Sequence, residues 1–177
     1  MILYHGSRIS SIEHLRPFSA NHEKPYVYLT HSKVLAAIYA CNPMNRPNGF
    51  FTYWWNKEGI LCYDEYFANQ LESIYSGKKG YVYTCEGILP QLDRMPWVYL
   101  SEKSISVSGC TVIPDIYKQL LQYEQEGQLI IRRYKDASPK QREIWENVVK
   151  QSLANTDITT SSGREYCDFI KAHFKNL

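Results

Sequence analysis

The chain has 177 residues, of which 44% are hydrophobic and 21% charged, and its formal net charge is +2. That composition excludes a disordered chain and suits one folded domain, alone or with a small appendage. The mild charge gives no argument for a nucleic-acid or membrane partner, and no run approaches the roughly 18 apolar residues a membrane span needs.

Ile2-Leu3-Tyr4 reads as a short first strand, followed at once by His5, Gly6 and Ser7. "YVYLT" (Tyr26 to Thr30) alternates aromatic and aliphatic residues and predicts a second strand. Ser32 is placed to cap a helix over Lys33 to Cys41, with Val34, Leu35, Ile38 and Cys41 on one face. Two prolines and a glycine in "CNPMNRPNG" (Cys41 to Gly49) end it.

"FFTYWW" (Phe50 to Trp55) predicts a strand, and Asp64 to Tyr75 a helix stopped by Gly77. "GYVYTCEG" (Gly80 to Gly87) is a further strand, and "ILPQLDRMP" after it a loop. Trp97 to Ser101 and Ser104 to Ile113 read as two more strands. Pro114 opens a helix over Asp115 to Glu126 that Gly127 stops, and Gln128 to Tyr134 closes the sheet region.

Beyond Ser138-Pro139 the pattern turns helical. Lys140 to Leu153 and Gly163 to Phe174 read as amphipathic helices joined by "NTDITTSSG". Ile144, Trp145, Val148, Val149 and Leu153 mark the apolar face of the first. The expected layout is therefore α+β, with a mixed body over 1–137 and a helical extension over 138–177 packed on it. A protein partner for those helices is the second reading.

The five cysteines, Cys41, Cys62, Cys85, Cys110 and Cys167, are odd in number and form no C-x-x-C pair. No metal site or disulfide framework is expected; each reads as a small apolar residue in a reducing, cytoplasmic setting. The first residues lack the basic-then-apolar order of a signal peptide.

Two segments together carry the chemistry. "LYHGS" ends the first strand on His5, and "YVYLTHSKVLAAIYAC" holds Tyr28 and Tyr39, separated by 39 − 28 = 11 positions. These segments resemble the ADP-ribosyltransferase fold in its poly(ADP-ribose) polymerase and diphtheria-toxin-like branch, which carries a His-Tyr-Glu triad. In size and beginning the chain is also similar to small bacterial ADP-ribosyltransferases.

The resemblance covers about the first quarter of the chain, and it implies a split β-sheet body with NAD as cosubstrate. On that basis His5 holds a ribose hydroxyl, Gly6 pairs its main chain with the nicotinamide carboxamide, and Ser7 adds a hydroxyl contact. Tyr28 and Tyr39 clamp the flat nicotinamide cation by stacking. Breaking the nicotinamide–ribose bond builds positive charge on the ribose, which calls for a nearby carboxylate. Glu102 is the first candidate, with Glu86 and Asp93 as alternatives; catalysis would then rest on His5, Tyr28 and Glu102.

The implied activity is mono-ADP-ribosyl transfer to an acceptor the sequence does not name: a protein, a nucleic acid or a small molecule. Loops 41–49 and 87–96 would choose it. A toxin, a defence protein and a housekeeping modifier all fit. Two other readings keep the fold: a non-catalytic NAD or ADP-ribose binding module or interaction protein, and an RNA 2′-phosphotransferase-like enzyme, which uses a second histidine, here His31, and basic residues instead of the acid. His14, His22 and His173 read as surface residues.

Overall fold

The structure is a computed structural model, and it describes residues 1–19, 24–41, 52–92 and 95–174. The chain is a mixed α+β protein that divides into two compact units, Met1–Asn42 with Tyr75–Tyr123, and Pro43–Ile74 with Glu124–Leu177. Each unit is built from two separated pieces of chain. The two C-terminal helices share a unit with residues 43–74, whereas the sequence reading draws its boundary at 137/138.

In the first unit, β1 (Ile2–Ser7), β3 (Val27–Thr30), β6 (Gly80–Glu86), β7 (Gln91–Leu92), β8 (Met95–Ser101) and β10 (Gly109–Ile113) form one sheet, in the order β10-β6-β1-β3-β8-β7. β2 (His14–Leu15) pairs separately with β9 (Ile105–Ser106). Leu3, Leu15, Val27, Leu29, Cys85 and Tyr99 pack as a buried core against one face of this sheet. Helix α1 (Lys33–Tyr39) packs against β1, β3 and β6.

The α1 helix starts where its cap predicts: the Ser32 hydroxyl accepts the Leu35 N–H at 3.1 Å. Val34, Leu35 and Ile38 are buried, while Cys41 lies just past the helix and is half-buried. Gly80 fits closely under both α1 and α3 (Ile116–Gln125), since a Cβ there would stand 2.7 Å from the Ala40 Cβ and 2.9 Å from the Ile116 Cδ1. The Asp115 carboxylate caps α3 by accepting the Lys118 N–H at 3.2 Å.

In the second unit, β4 (Tyr53–Trp55), β5 (Leu61–Asp64) and β11 (Leu129–Arg132) form a sheet ordered β11-β5-β4, with β11 and β5 parallel. Helices α2 (Gln70–Tyr75, its last residue in the first unit), α4 (Pro139–Ala154) and α5 (Ser161–His173) follow in chain order. Ser138 caps α4 on the Gln141 N–H, and Thr160 caps α5 on the Gly163 N–H. Phe67, Val149, Ile170 and Phe174 form a buried cluster. Trp145 stacks between Tyr66 and Tyr134, with ring centroids 5.5 and 6.3 Å away.

Several expectations change. Asp64 ends a strand and does not start a helix, because Asn69 adopts φ +58° immediately before α2, a left-handed conformation no α-helix can include. The expected 88–96 loop contains β7 and the start of β8. The single strand expected over Ser104 to Ile113 is two, since the chain leaves β2 after Ser106 and crosses to β6 at Gly109. On α4, Trp145 and Val149 are buried but Ile144 and Val148 are exposed, so the apolar face is narrower than the sequence pattern. The strand expected from Phe50 begins, within the described residues, at Tyr53; Phe50 and Phe51 lie outside them. His22 and Asp93, and all but the first residue of the Cys41–Gly49 loop, also lie outside them. No helix among the described residues is long and apolar enough to cross a membrane.

Candidate functional site

β1 is longer than the sequence suggests. His5, Gly6 and Ser7 are part of the strand and register with Tyr83, Val82 and Tyr81 of β6. The Gly87 N–H donates to the Met1 carbonyl at 3.1 Å. Antiparallel alternation then turns the main-chain groups of Leu3, His5 and Ser7 toward β6, and those of Ile2, Tyr4 and Gly6 toward β3.

On the β3 side, β1 has one register pair, Tyr4 with Thr30. The next would join Gly6 to Tyr28, but the ladder stops short of it. The Leu100 N–H donates to Pro90, so the main-chain groups of its partner Tyr28 face β1 by the same alternation. The Tyr28 carbonyl is taken by the His5 side chain, whose Nδ1 lies 2.8 Å from it.

That contact determines the tautomer. A carbonyl only accepts, so Nδ1 carries the proton and the neutral ring presents Nε2 as an acceptor. Burial holds the His5 imidazole below its ordinary range, partly offset by the bond to Tyr28. His5 is thus a neutral, oriented acceptor, suited to a ligand hydroxyl.

Gly6 is also required by the packing of α1. A Cβ there would lie 1.9 Å from the Ala36 carbonyl oxygen and 2.8 Å from the Ala40 nitrogen. Its missing side chain makes room for α1, and its peptide edge, turned toward β3, is the part a ligand could meet. Tyr39 sits in the turn of α1 that Gly6 packs against and is half-buried.

Tyr28 lies on β3, with Phe18 and Tyr26 at ring-centroid distances of 5.5 and 6.3 Å. Burial, then the neighbouring Tyr26, raises its phenol pKa, so it stays protonated at neutral pH. The Ser7 hydroxyl accepts the Ile9 N–H at 3.1 Å and still has its own proton to donate.

The carboxylates stand apart from this group. Glu102 follows the end of β8, is well exposed, and pairs with Lys24 at 3.5 Å. Through the registers, His5 is level with Leu29 and Tyr99. Two strand spacings and three residues of rise therefore put the Glu102 Cα about 14 Å from that of His5. Glu102 helps line an open groove with Tyr26, Leu89 and Leu100, and His5 does not line it. Glu86 is paired with Ile2, at the end of β1 away from Ser7. His31 is exposed, edge-on to Tyr99 with centroids 6.2 Å apart.

Tyr83 was missed by the sequence reading. It is 1% exposed, lies opposite His5, and its hydroxyl donates to the Ile9 carbonyl at 2.7 Å while accepting the Ile12 N–H at 3.2 Å. Its place in the alternating "YVYTC" was the available signal. The Gly6–α1 approach had one too: Ala36 and Ala40, small residues four apart on the helix.

The second unit holds its own buried polar groups. Asp64 accepts from Arg132 through both carboxylate oxygens and from the Trp54 indole N–H at 3.2 Å, while the Arg132 guanidinium lies 4.9 Å from the Trp54 ring centroid. Glu65 accepts the N–H groups of Leu71 and Tyr134 at 3.1 and 3.3 Å. These carboxylates are occupied in joining β4, β5 and α2 to the end of β11.

Of the cysteines, Cys62 and Cys85 are buried as expected, and burial pushes the Cys85 thiol to about 11; Cys110 is exposed. Comparison with protein-family models, with curated proteins and with solved structures finds no match for this chain.

Proposed function

We propose that the chain is an NAD-dependent mono-ADP-ribosyltransferase whose nicotinamide-side wall is built from His5, Gly6, Ser7, Tyr28 and Tyr39. One observation carries the reading: the Gly6 peptide edge faces Tyr28 where the β1–β3 ladder has stopped, and the His5 ring takes the Tyr28 carbonyl beside it. An amide such as nicotinamide's needs one donor and one acceptor, and one peptide edge offers both.

NAD supplies a nicotinamide that leaves as a neutral ring while positive charge grows on the ribose. His5 accepts a ribose hydroxyl at Nε2 and orients it. Ser7 donates to the carboxamide. Tyr28 and Tyr39 offer faces for the ring, where a cation is favoured. Incubating the folded protein with labelled NAD and a cell lysate tests the reading: label transfer or free nicotinamide supports it, and the absence of both overturns it.

A second reading, an NAD-binding module without turnover, is favoured by the Lys24–Glu102 pair, which engages the first-choice carboxylate away from His5. Calorimetric NAD binding with no nicotinamide release would select it.

A further inference from the structure

We propose that Tyr83 is a positioning residue for this NAD site, acting through the turn that follows Ser7; the inference rests on the NAD reading. A buried tyrosine hydroxyl needs hydrogen-bond partners, and here both come from one surface turn. The hydroxyl donates to the Ile9 carbonyl and accepts the Ile12 N–H, so it joins two points of the chain more than 70 residues distant in sequence.

Arg8, Ile9, Ser10 and Ser11 are all exposed, so side-chain burial does little to hold the turn. Ser11 sits at φ +58°, a conformation that a serine keeps only where its surroundings impose it. Between Ser7 and Ile12, whose side chain packs against the core, the turn is held through its main-chain bonds.

Those bonds lead to the ligand. Ile9 is held from both sides: Tyr83 takes its carbonyl, and Ser7 Oγ takes its N–H. Tyr83 thereby sets where the Ser7 hydroxyl points, through a relay of one residue. Tyr83 and His5 are also cross-strand partners on the same face of the sheet. Their Cβ atoms are about 5.5 Å apart.

The test is calorimetric titration of NAD into the wild type, Tyr83→Phe, Ser7→Ala and the double variant, with Tyr81→Phe as control. Tyr81 stacks on Tyr83 at 6.4 Å on the same strand. Losing the relay should weaken NAD binding by about tenfold in Tyr83→Phe, with the control within about twofold of wild type. Because the effect passes through Ser7, adding Tyr83→Phe to Ser7→Ala should cost no more than about twofold further.

Wild-type affinity in Tyr83→Phe, an equal loss in the control, or full additivity in the double variant each overturns the proposal. If Tyr83→Phe does not fold, amide exchange on the wild type decides. Saturating NAD should slow exchange at Ile9 and Ile12, and unchanged rates overturn the proposal. A folded wild type that binds no NAD overturns the NAD reading and this inference together. A wild type that binds while Tyr83→Phe binds equally well overturns the inference alone.

Discussion

Replacing Gly6 with alanine should destabilise the protein strongly, although alanine suits a strand better than glycine does. The added Cβ would stand 1.9 Å from the Ala36 carbonyl oxygen, 2.8 Å from the Ala40 nitrogen and 2.9 Å from the Ala36 carbonyl carbon. All three are main-chain atoms of α1 and its cap. No rotamer change relieves the contact, so the helix must lift off β1. Overpacking costs about 1–3 kcal/mol in typical cores, and a rigid backbone obstacle places this site at the upper end, about 3 kcal/mol.

At about 2–4 °C per kcal/mol for a chain of this size, the melting temperature should fall by about 6–12 °C. Thermal unfolding followed by circular dichroism measures it. Gly87→Ala is the control, since nothing lies within 4 Å of a Cβ there. Ala36→Gly should not rescue Gly6→Ala, because the obstacle is a carbonyl and not a methyl group. A Gly6→Ala protein that melts within a degree or two of wild type would refute the close β1–α1 packing, and with it the placement of Tyr39 beside the Gly6 turn.

Three further outcomes follow from the same geometry. Asp64→Ala removes the acceptor of both Arg132 and Trp54; with Arg132 partly open to solvent, the loss should be about 2–3 kcal/mol in urea unfolding, and a change under about 0.5 kcal/mol would count against a structural role for the pair. Glu102→Ala breaks only an exposed ion pair, so stability should shift by no more than about 1 kcal/mol. A loss of turnover with NAD binding retained would then identify it as the acid, whereas unchanged turnover would move that role to Asp93, because Glu86 lies at the far end of β1. Burial lowers the His5 pKa below 6.5, so the unfolded chain takes up a proton first as pH falls. The stability His5 contributes is thus complete above its unfolded pKa and is lost as pH falls through 6.5 toward the folded value. NAD binding should weaken at still lower pH, when Nε2 gains a proton. An NMR titration of the imidazole checks both, and a His5 pKa above 6.5 would contradict the neutral-acceptor assignment.

Local chemistry was well read from sequence wherever one residue type dominates. The Ser32 cap, the helix after Pro114, and the glycine stops at Gly77 and Gly127, both at positive φ, stand where the sequence places them. Short apolar runs were harder. Leu61-Cys62-Tyr63-Asp64 is buried on both faces because it pairs in parallel with β11, nearly 70 residues later, and no local period records such a partner. The apolar face of α4 is narrower than its sequence pattern for a related reason: spacing marks residues that share a face, but only the packed neighbours decide how wide a stripe is covered.

His5, Gly6, Ser7, Tyr28 and Tyr39 were named from the sequence, and the structure places all five within one unit, on β1, β3 and α1. The resemblance to a known family singled them out, and residue types and capping determined the strands and helix that carry them, because a strand and a capped helix are local objects. The rest was decided by tertiary structure. Gly6 serves α1 because two alanines of that helix reach the strand, His5 is neutral because burial disfavours its charge and directed because its Nδ1 meets the Tyr28 carbonyl, and Glu102 is drawn to Lys24. Tyr83 could not be valued in advance, since its hydroxyl acts on a turn more than 70 residues away. A single sequence records which groups a chain carries; which atoms they face depends on contacts that form only when distant segments are brought together.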